Sequence, residues 1–198
     1  MTNINKLIQD LTLKEKISLM SGFNSWYTNK IERVGVPSIK MSDGPNGVRG
    51  DSTSGKSSAC FPCAISIGST WDMNLINQLG VALGEEAKVK DVDVLLGPTI
   101  NIHRHPLGGR HFESFSEDPF LTGKIATEYV KGVQSQNVAA CLKHFIGNDT
   151  EYERHLVSSN IDEKTLREIY LLPFEMGVKE GNAQVVMSAY NKLNNIYC

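Results

Sequence analysis

The sequence has no excess of positive charge and no long apolar run. Its 198 residues carry 20 Lys and Arg against 22 Asp and Glu, a net charge of −2, so it lacks the positive field that attracts nucleic acid phosphates. The longest uninterrupted apolar stretch, residues 138–142, is far shorter than the roughly 20 residues that span a bilayer. Asp10, Lys14 and Glu15 interrupt the N-terminal region before the apolar core of a signal peptide can form. We therefore expect no nucleic acid partner, no membrane partner and a cytoplasmic location.

Cysteine is scarce, and the uneven spacing of the four cysteines does not match the framework of a small disulfide-rich protein. We expect free thiols. Cys60 and Cys63 have the C-x-x-C spacing of redox and zinc motifs, but a structural zinc needs four ligands and no second pair stands nearby. His103 and His105 are too close in sequence for the usual histidine pair of a metal site. We expect no metal and no other cofactor, and we rank a metal-dependent or redox enzyme last among the possible functions.

Apolar residues, in contrast, are plentiful and regularly patterned. They make up 40% of the chain, with 21% charged residues, which is enough for one folded core at this length. The segment 51–58, rich in Ser and Gly, is expected to be an exposed, mobile loop. The patterns predict strands at 37–41, 92–96, 138–142 and 184–189. They predict a first helix that begins at the capping box of Thr12 and Glu15 and ends at about residue 22. Three further helices are predicted over 73–89, over 121–133, and from 163 with a kink at Pro173.

This alternation of strands and helices predicts a parallel sheet of the α/β class with right-handed crossovers. Polar clusters follow the strands at Ser42-Asp43, 101–110, Lys143-His144 and Tyr190-Asn191, as they do at the C-terminal rim of a (β/α)-barrel. No G-x-G-x-x-G turn or P-loop favours the alternative, a doubly wound sheet. Four predicted strands and three crossover helices are only half of a closed barrel. The predicted fold is therefore an incomplete TIM-like (β/α) barrel, and we expect the N-terminal part of a longer protein.

Four of these polar side chains, Asp43, Arg110, Lys143 and His144, are expected to surround a pocket. Adjacent sugar hydroxyls each donate and accept hydrogen bonds, so a carboxylate that accepts two and cations that donate to neighbouring oxygens suit a sugar. A purely structural interpretation is also open, and residue types alone favour it: Asp43 caps a turn, Arg110 pairs with Glu113 at the surface, and Lys143 is solvated. Residue types by themselves do not decide between the two.

Five ordered segments, taken together, resemble glycoside hydrolase family 3, and its β-glucosidase branch in particular. The resemblance extends from about Leu11 to the last residue. It implies a TIM-like barrel domain joined to a second α/β domain, and retaining hydrolysis of terminal β-D-glucosyl residues from a β-glucoside or oligosaccharide. That mechanism uses two carboxyl groups roughly 5–5.5 Å apart. The segments are MSDGPNGVRG from Met41, GPTINI from Gly97, GRHFESFSEDP from Gly109, KHFIGND from Lys143 and VMSAYN from Val186.

The resemblance also implies which side chains hold the sugar. One carboxylate would accept hydrogen bonds from hydroxyls, cations would donate to other hydroxyls, and an apolar and aromatic wall would pack against the C–H faces of the pyranose ring. Arg49 lies in the first segment and is a secondary candidate. The substrate-binding positions are Asp43 as the acceptor, Arg110, Lys143 and His144 as donors, and Met187 and Tyr190 as the wall.

The sequence departs from the family at the catalytic step. The family's nucleophile is an aspartate, typically in a Ser-Asp-Trp context, and this tripeptide is absent from the 198 residues. The acid/base glutamate lies later still, in the second domain. We therefore expect no catalytic residue here, and we assign Glu113 to holding Arg110 and Asp149 to ordering the loop after His144. This loop has Asn148 where the related N-acetylglucosaminidases carry a further histidine, which favours the glucosidase type.

Two functions of different classes remain. The first is the N-terminal portion of a β-glucosidase, truncated before the strand that bears the nucleophile, inactive alone and dependent on the missing C-terminal part. The alternative is a non-catalytic sugar-binding module that uses the same pocket, which we rank lower because an open half-barrel leaves edge strands unpaired. We expect His103 and His105 to make loop hydrogen bonds rather than to touch substrate, and His155 to be solvated.

Overall fold

A computed structural model describes residues 4–50 and 56–198. Most of the predicted mobile loop, residues 51–55, lies outside the described residues. The helices are α1 (Ile4–Asp10), α2 (Leu13–Ser18), α3 (Ala64–Gly68), α4 (Met73–Val89), α5 (Pro119–Gln134), α6 (Glu163–Thr165) and α7 (Leu172–Lys179), with a π-helical turn at Leu166–Tyr170. The strands are β1 (Met41–Ser42), β2 (Val94–Leu95), β3 (Ala139–Phe145), β4 (Ser158–Ser159), β5 (Val185–Ser188), β6 (Lys192–Leu193) and β7 (Ile196–Tyr197).

The main sheet has the strand order β1-β2-β3-β5, and every pair in it is parallel. Helices α4, α5 and the α6–α7 segment lie in the connections between successive strands of this sheet. The predicted α/β class, with a parallel sheet that forms part of a TIM-like barrel, is confirmed. Strands β4, β6 and β7 form a second, smaller sheet that the sequence did not predict, because two-residue strands leave no apolar pattern.

The two long helices form where local signals predict them. Asp72 caps α4, and its side chain accepts hydrogen bonds from the backbone N–H groups of Asn74 and Leu75, both at 3.0 Å. Helix α4 begins and ends at the predicted residues. Helix α5 extends the predicted 121–133 by two residues at its N-terminus, where Asp118 is the cap, and by one at its C-terminus. Within the described ranges, no helix is long and apolar enough to cross a membrane.

The core lies between the main sheet and the helices α4 and α5. Its largest fully buried side chains include Ile76 and Leu83 from α4 and Ile125 from α5. The α5 residue Tyr129 is also buried, and its hydroxyl donates a hydrogen bond of 2.7 Å to the carbonyl of Pro45, in the loop that follows β1. Burial raises the pKa of Tyr129, so this hydroxyl keeps its proton. The core therefore anchors one of the loops at the carboxyl edge of the sheet.

The N-terminal helix ends earlier than the sequence predicts. The capping box is present: the Thr12 backbone donates to Glu15 Oε2 at 2.8 Å, and the Glu15 backbone donates to Thr12 Oγ1 at 3.3 Å. Helix α2 nevertheless ends at Ser18, not near residue 22. The Asn29 amide donates to the carbonyls of Ser18 and Ser21, at 2.8 and 3.0 Å, and so satisfies backbone groups that would otherwise continue the helix.

The first strand of the main sheet also differs from the prediction. Only Met41 and Ser42 pair with β2, whereas the predicted strand covered 37–41. The Lys40 backbone N–H bonds instead to the Asp93 carboxylate at 2.7 Å. Strands β2 and β5 lie inside the predicted segments and are shorter, and β3 continues past the predicted end to Phe145.

Candidate functional site

The carboxyl ends of the parallel strands bring the predicted polar residues to one edge of the sheet. Asp43 follows β1 directly, and Lys143 lies in β3. Lys143 is paired in register with Met187 of β5 on one side and bridged to Thr99, just after β2, on the other. The peptide between Lys143 and His144 is cis. Because parallel strands end at the same edge, Asp43 and Lys143 share one site although they are 100 positions apart in sequence.

Asp43 and Lys143 form an ion pair at the centre of this edge. Lys143 Nζ lies 3.1 Å from Asp43 Oδ1, and Lys143 is only 3% exposed, so the interpretation of Lys143 as a solvated residue is wrong. Burial by itself would raise the pKa of Asp43, but the Lys143 ammonium and the Gly44 backbone N–H outweigh it and hold that pKa below its ordinary value. Arg49 Nη1, at 3.9 Å from Oδ2, acts in the same direction. Asp43 is therefore an ionised acceptor at neutral pH.

His144 is an uncharged imidazole. It is 6% exposed, and its Nδ1 lies 3.0 Å from Asn101 Oδ1. Burial, followed by the positive charges of Arg110, Lys143 and Arg154, lowers the pKa of His144 to about 3. The ring therefore stays neutral throughout the physiological pH range and presents a hydrogen-bonding group without a charge.

Arg110 lies between two carboxylates. Its Nε contacts Glu113 Oε1, and its Nη1 lies 3.6 Å from Glu151 Oε1. Burial would lower the pKa of Arg110, but these two carboxylates raise it. The prediction that Glu113 holds Arg110 is confirmed, while a pairing at the surface is wrong because Glu113 is buried. Arg110 and His144 line the same small cavity, together with Asn101 and Glu113.

Tyr190 is held by two residues that the sequence analysis did not assign to the site. The Arg154 guanidinium carbon lies 5.3 Å from the centre of the Tyr190 ring, and the His155 ring lies 4.6 Å from it, centre to centre. Arg154 also donates to Glu151 at 2.8 Å, which connects Tyr190 to Arg110. His155 is exposed, as predicted, but it is packed against an aromatic ring. The sequence carries no signal for Arg154, because a charge in an irregular acidic and basic run is typical of a solvated loop.

Asp149 connects the loop after β3 to the π-helical turn. It is buried, its Oδ2 accepts a hydrogen bond of 2.8 Å from the Tyr170 hydroxyl, and Arg104 Nη1 lies 3.9 Å away. Burial raises the pKa of Asp149, and these partners offset only part of the effect. The prediction that Asp149 orders its own loop is therefore incomplete, since the partner of its side chain is on the next helical segment.

The remaining histidines make loop contacts. His103 Nε2 lies 3.0 Å from the carbonyl of Ser114, and the His103 ring lies 4.7 Å from the ring of His111. His105 accepts a hydrogen bond at Nδ1 from the backbone of Leu107 at 3.2 Å. These contacts agree with the expected loop hydrogen bonds of His103 and His105.

The C-x-x-C motif stands at the start of α3. Cys63 is the cap residue of this helix without a side-chain hydrogen bond, and Cys60 is exposed. All four cysteines are free thiols, and burial raises the pKa of Cys141 to about 11. In the part of the chain that the structure describes, no three His, Cys, Asp or Glu side chains are grouped as a metal site requires.

Known proteins match this chain over almost its whole length. Residues 6–197 match the family described as Glycosyl hydrolase family 3 N terminal domain. A β-glucosidase of Rhizobium radiobacter is 56% identical over 196 residues, which are 98% of this chain and 24% of that protein. The thermostable β-glucosidase B of Acetivibrio thermocellus is 48% identical over 204 residues, 99% of this chain and 27% of that protein. The chain thus spans about a quarter of the length of these curated relatives.

Solved structures of β-glucosidases have a closely similar fold over the length of this chain. The β-glucosidase of Kluyveromyces marxianus in complex with glucose superposes with a TM-score of 0.97 at 46% identity, over 100% of this chain and 24% of that one. The β-glucosidase 3B of Thermotoga neapolitana in complex with glucose gives a TM-score of 0.92 at 42% identity, over 100% of this chain and 30% of that one. The barrel strands, the order of the motifs and these matches agree, and the chain belongs to glycoside hydrolase family 3.

Proposed function

We propose that this chain supplies the sugar-holding side of a β-glucosidase active site, within an enzyme that hydrolyses terminal β-D-glucosyl residues with retention. The observation that carries the proposal is the convergence at one sheet edge of an ion-paired carboxylate, Asp43, an anchored guanidinium, Arg110, and a neutral imidazole, His144. The glucose complexes of two relatives are consistent with this ligand.

The polar groups suit a ring of hydroxyls. Asp43 has a second carboxylate oxygen whose nearest described cation, Arg49, is 3.9 Å away, so this oxygen is available to accept from hydroxyls. Lys143 uses one of its three N–H groups on Asp43 and has others to donate. Met187 lies beside Lys143 across the sheet, and Tyr190 is more than half exposed after the same strand, so the two would form a wall for the C–H face of a pyranose. Hydrogen bonds to charged groups contribute about 1.5–3 kcal/mol each.

We place bond cleavage outside these 198 residues. Retaining hydrolysis needs a carboxylate that is free to attack the anomeric carbon and a second carboxyl group about 5–5.5 Å from it. The acidic groups near the site have other partners: Lys143 holds Asp43, Arg110 holds Glu113, and Arg154 holds Glu151. The proposed nucleophile and acid/base residues therefore belong to the further length that the relatives possess, and this chain needs that part for turnover.

A chimera tests the proposal. This chain replaces the matching N-terminal quarter of the R. radiobacter β-glucosidase, and hydrolysis of an aryl β-glucoside is measured for the chimera and for the 198-residue chain alone. We expect turnover by the chimera only, and a loss of about tenfold or more in kcat/KM for Asp43→Ala, because each 1.4 kcal/mol is about tenfold. Glu85→Ala, on the exposed side of α4, is the matched control.

Each other outcome contradicts one element of the proposal. Turnover by the chain alone would show that the essential carboxylates lie within it. A folded chimera that is insensitive to Asp43→Ala would exclude Asp43 from sugar binding. An inert chimera combined with stable glucose binding by the chain alone would favour the non-catalytic sugar-binding module.

A further inference from the structure

The orientation of the Asn101 side-chain amide is determined by two backbone groups. The backbone N–H of His144 is necessarily a donor, and it lies 3.0 Å from Asn101 Oδ1. The backbone carbonyl of His144 is necessarily an acceptor, and Asn101 Nδ2 lies 2.9 Å from it. Exchanging the amide oxygen and nitrogen would break both contacts in a buried site, where unpaired polar groups are costly. The oxygen of this amide therefore faces His144.

The same oxygen determines which ring nitrogen of His144 carries the proton. Asn101 Oδ1 also lies 3.0 Å from His144 Nδ1. An amide oxygen has only lone pairs to offer, so at this distance Nδ1 must be the N–H donor. The competing partner, Asn148 Nδ2, is 3.5 Å from Nδ1, at the limit of a hydrogen bond, and does not outweigh the shorter contact.

The other ring nitrogen, Nε2, is then an acceptor. A neutral imidazole carries one proton, so a ring protonated at Nδ1 has a lone pair at Nε2. Within residues 4–50 and 56–198, no group forms a hydrogen bond with His144 Nε2. Among these residues, Nε2 is also not one of the fully buried side-chain atoms that lack a hydrogen-bond partner. Nε2 is therefore not sealed from solvent and has no described hydrogen-bond partner, and its side chain lines a small cavity with Arg110.

We propose that Asn101 is a positioning residue that holds His144 in the Nδ1–H tautomer, so that His144 accepts a hydrogen bond from a sugar hydroxyl through Nε2. This proposal rests on the proposed function for the identity of the ligand. It reverses the role expected from the sequence, in which His144 donates alongside Lys143. The two adjacent residues then make opposite demands on the sugar: Lys143 requires an acceptor, and His144 requires a donor.

The tautomer can be measured without any sugar. In the 15N-labelled 198-residue chain, long-range 1H–15N correlation spectra distinguish protonated from unprotonated ring nitrogens. For His144 we expect a protonated Nδ1 and an unprotonated Nε2, unchanged between about pH 5 and 8. A protonated Nε2 on His144, or rapid exchange between tautomers, would overturn the proposal.

Three variants test whether Asn101 determines the tautomer of His144. Asn101→Asp keeps an acceptor opposite both His144 donors, so the tautomer should be unchanged. Asn101→Leu removes the acceptor, and both tautomers should become populated. Asn148→Leu is the control and should leave the tautomer as in the parent chain. If Asn101→Leu does not fold, the other two variants still decide the matter, because a changed tautomer in either of them contradicts the assignment.

Sugar binding to the chimera with the R. radiobacter β-glucosidase provides the second arm, because the proposed function requires the part that this chain alone lacks. Glucose is compared with its monodeoxy and monodeoxyfluoro analogues, since fluorine accepts weakly but cannot donate. At the hydroxyl facing His144, fluorine should weaken binding as much as hydrogen does, by about tenfold. If fluorine partly restores affinity at every position, the acceptor role of His144 is wrong. If glucose itself does not bind while the spectra show the Nδ1–H tautomer, the proposed function fails and the role of Asn101 stands.

Discussion

We expect that removing Asp43 and removing Lys143, the two partners of the buried ion pair, lower the free energy of unfolding by different amounts. The two partners are not equally buried: Lys143 is 4% exposed at its side chain and Asp43 is 34% exposed. Removing Asp43 leaves an ammonium group enclosed by protein, and its one described hydrogen bond is lost. Removing Lys143 leaves a carboxylate that water already reaches and that Arg49 approaches to 3.9 Å. Asp43→Ala should therefore lower the free energy of unfolding more than Lys143→Met does.

The magnitudes follow from this difference in burial. Breaking a buried pair by removing one partner costs about 3–5 kcal/mol, and we expect Asp43→Ala to lie near the lower end because solvent reaches the site from one side. Lys143→Met keeps the volume of the side chain and leaves a partly hydrated charge, so its cost should be about 1 kcal/mol. The double variant has no buried charge left and should be about 1–2 kcal/mol less stable than the parent chain.

Urea unfolding of the four proteins, followed by circular dichroism, measures these values. With a slope of about 2–3 kcal/mol per M, Asp43→Ala should lower the midpoint by roughly 1–1.5 M, and the double variant should recover part of this loss. A non-additive recovery is the signature of direct coupling between the two side chains. Equal costs for the two single variants, or a double variant at the sum of both, would refute the reasoning.

Three further predictions concern the anchoring of the site. Tyr129→Phe removes the buried hydroxyl that bonds to Pro45 and should cost about 1–3 kcal/mol in urea unfolding, and a cost near zero would show that this bond does not anchor the loop. Asp72→Ala removes the cap of α4 and should cost about 1 kcal/mol, whereas the Glu85→Ala control on the same helix should stay within about 0.5 kcal/mol. The folded pKa of His144, about 3, lies below its ordinary value of 6.5, so the unfolded chain binds the extra proton and the His144 contribution to stability falls as pH falls below 6.5. Between about pH 6 and 4, the free energy of unfolding of His144→Gln should therefore fall less steeply than that of the parent chain, by about 1.4 kcal/mol per pH unit. Parallel pH profiles of the two proteins would contradict a neutral, buried His144.

The long helices were predictable because their signals are local. The Asp72 side chain reaches amides two and three residues away, and the apolar positions of α4 recur along one helix face. Where the prediction was wrong, the decisive partner was distant in sequence. Asn29 ends α2 from 11 residues away, and Asp93 takes the Lys40 backbone N–H from 53 residues away. A local pattern does not contain such partners.

The residues of the candidate site also fall into those that the sequence identified and those that only the structure showed. The sequence motifs identified Asp43, Arg110, Lys143 and His144, because the family resemblance depends on which residue types occur and in what order along the chain. They did not name Arg154, whose contacts with Tyr190 and Glu151 exist only after the loop has folded back onto the site.

The amino-acid sequence alone determined the α/β class, the two long helices and the family resemblance. Apolar spacing, helix caps and the order of motifs are properties of neighbouring residues, so they can be read without coordinates. Only the tertiary structure decided the charge and tautomer of His144, the two-sided anchoring of Arg110 and the burial of Lys143. These depend on dielectric and on distances between groups on different strands, which the chain establishes only when the sheet and helices pack together.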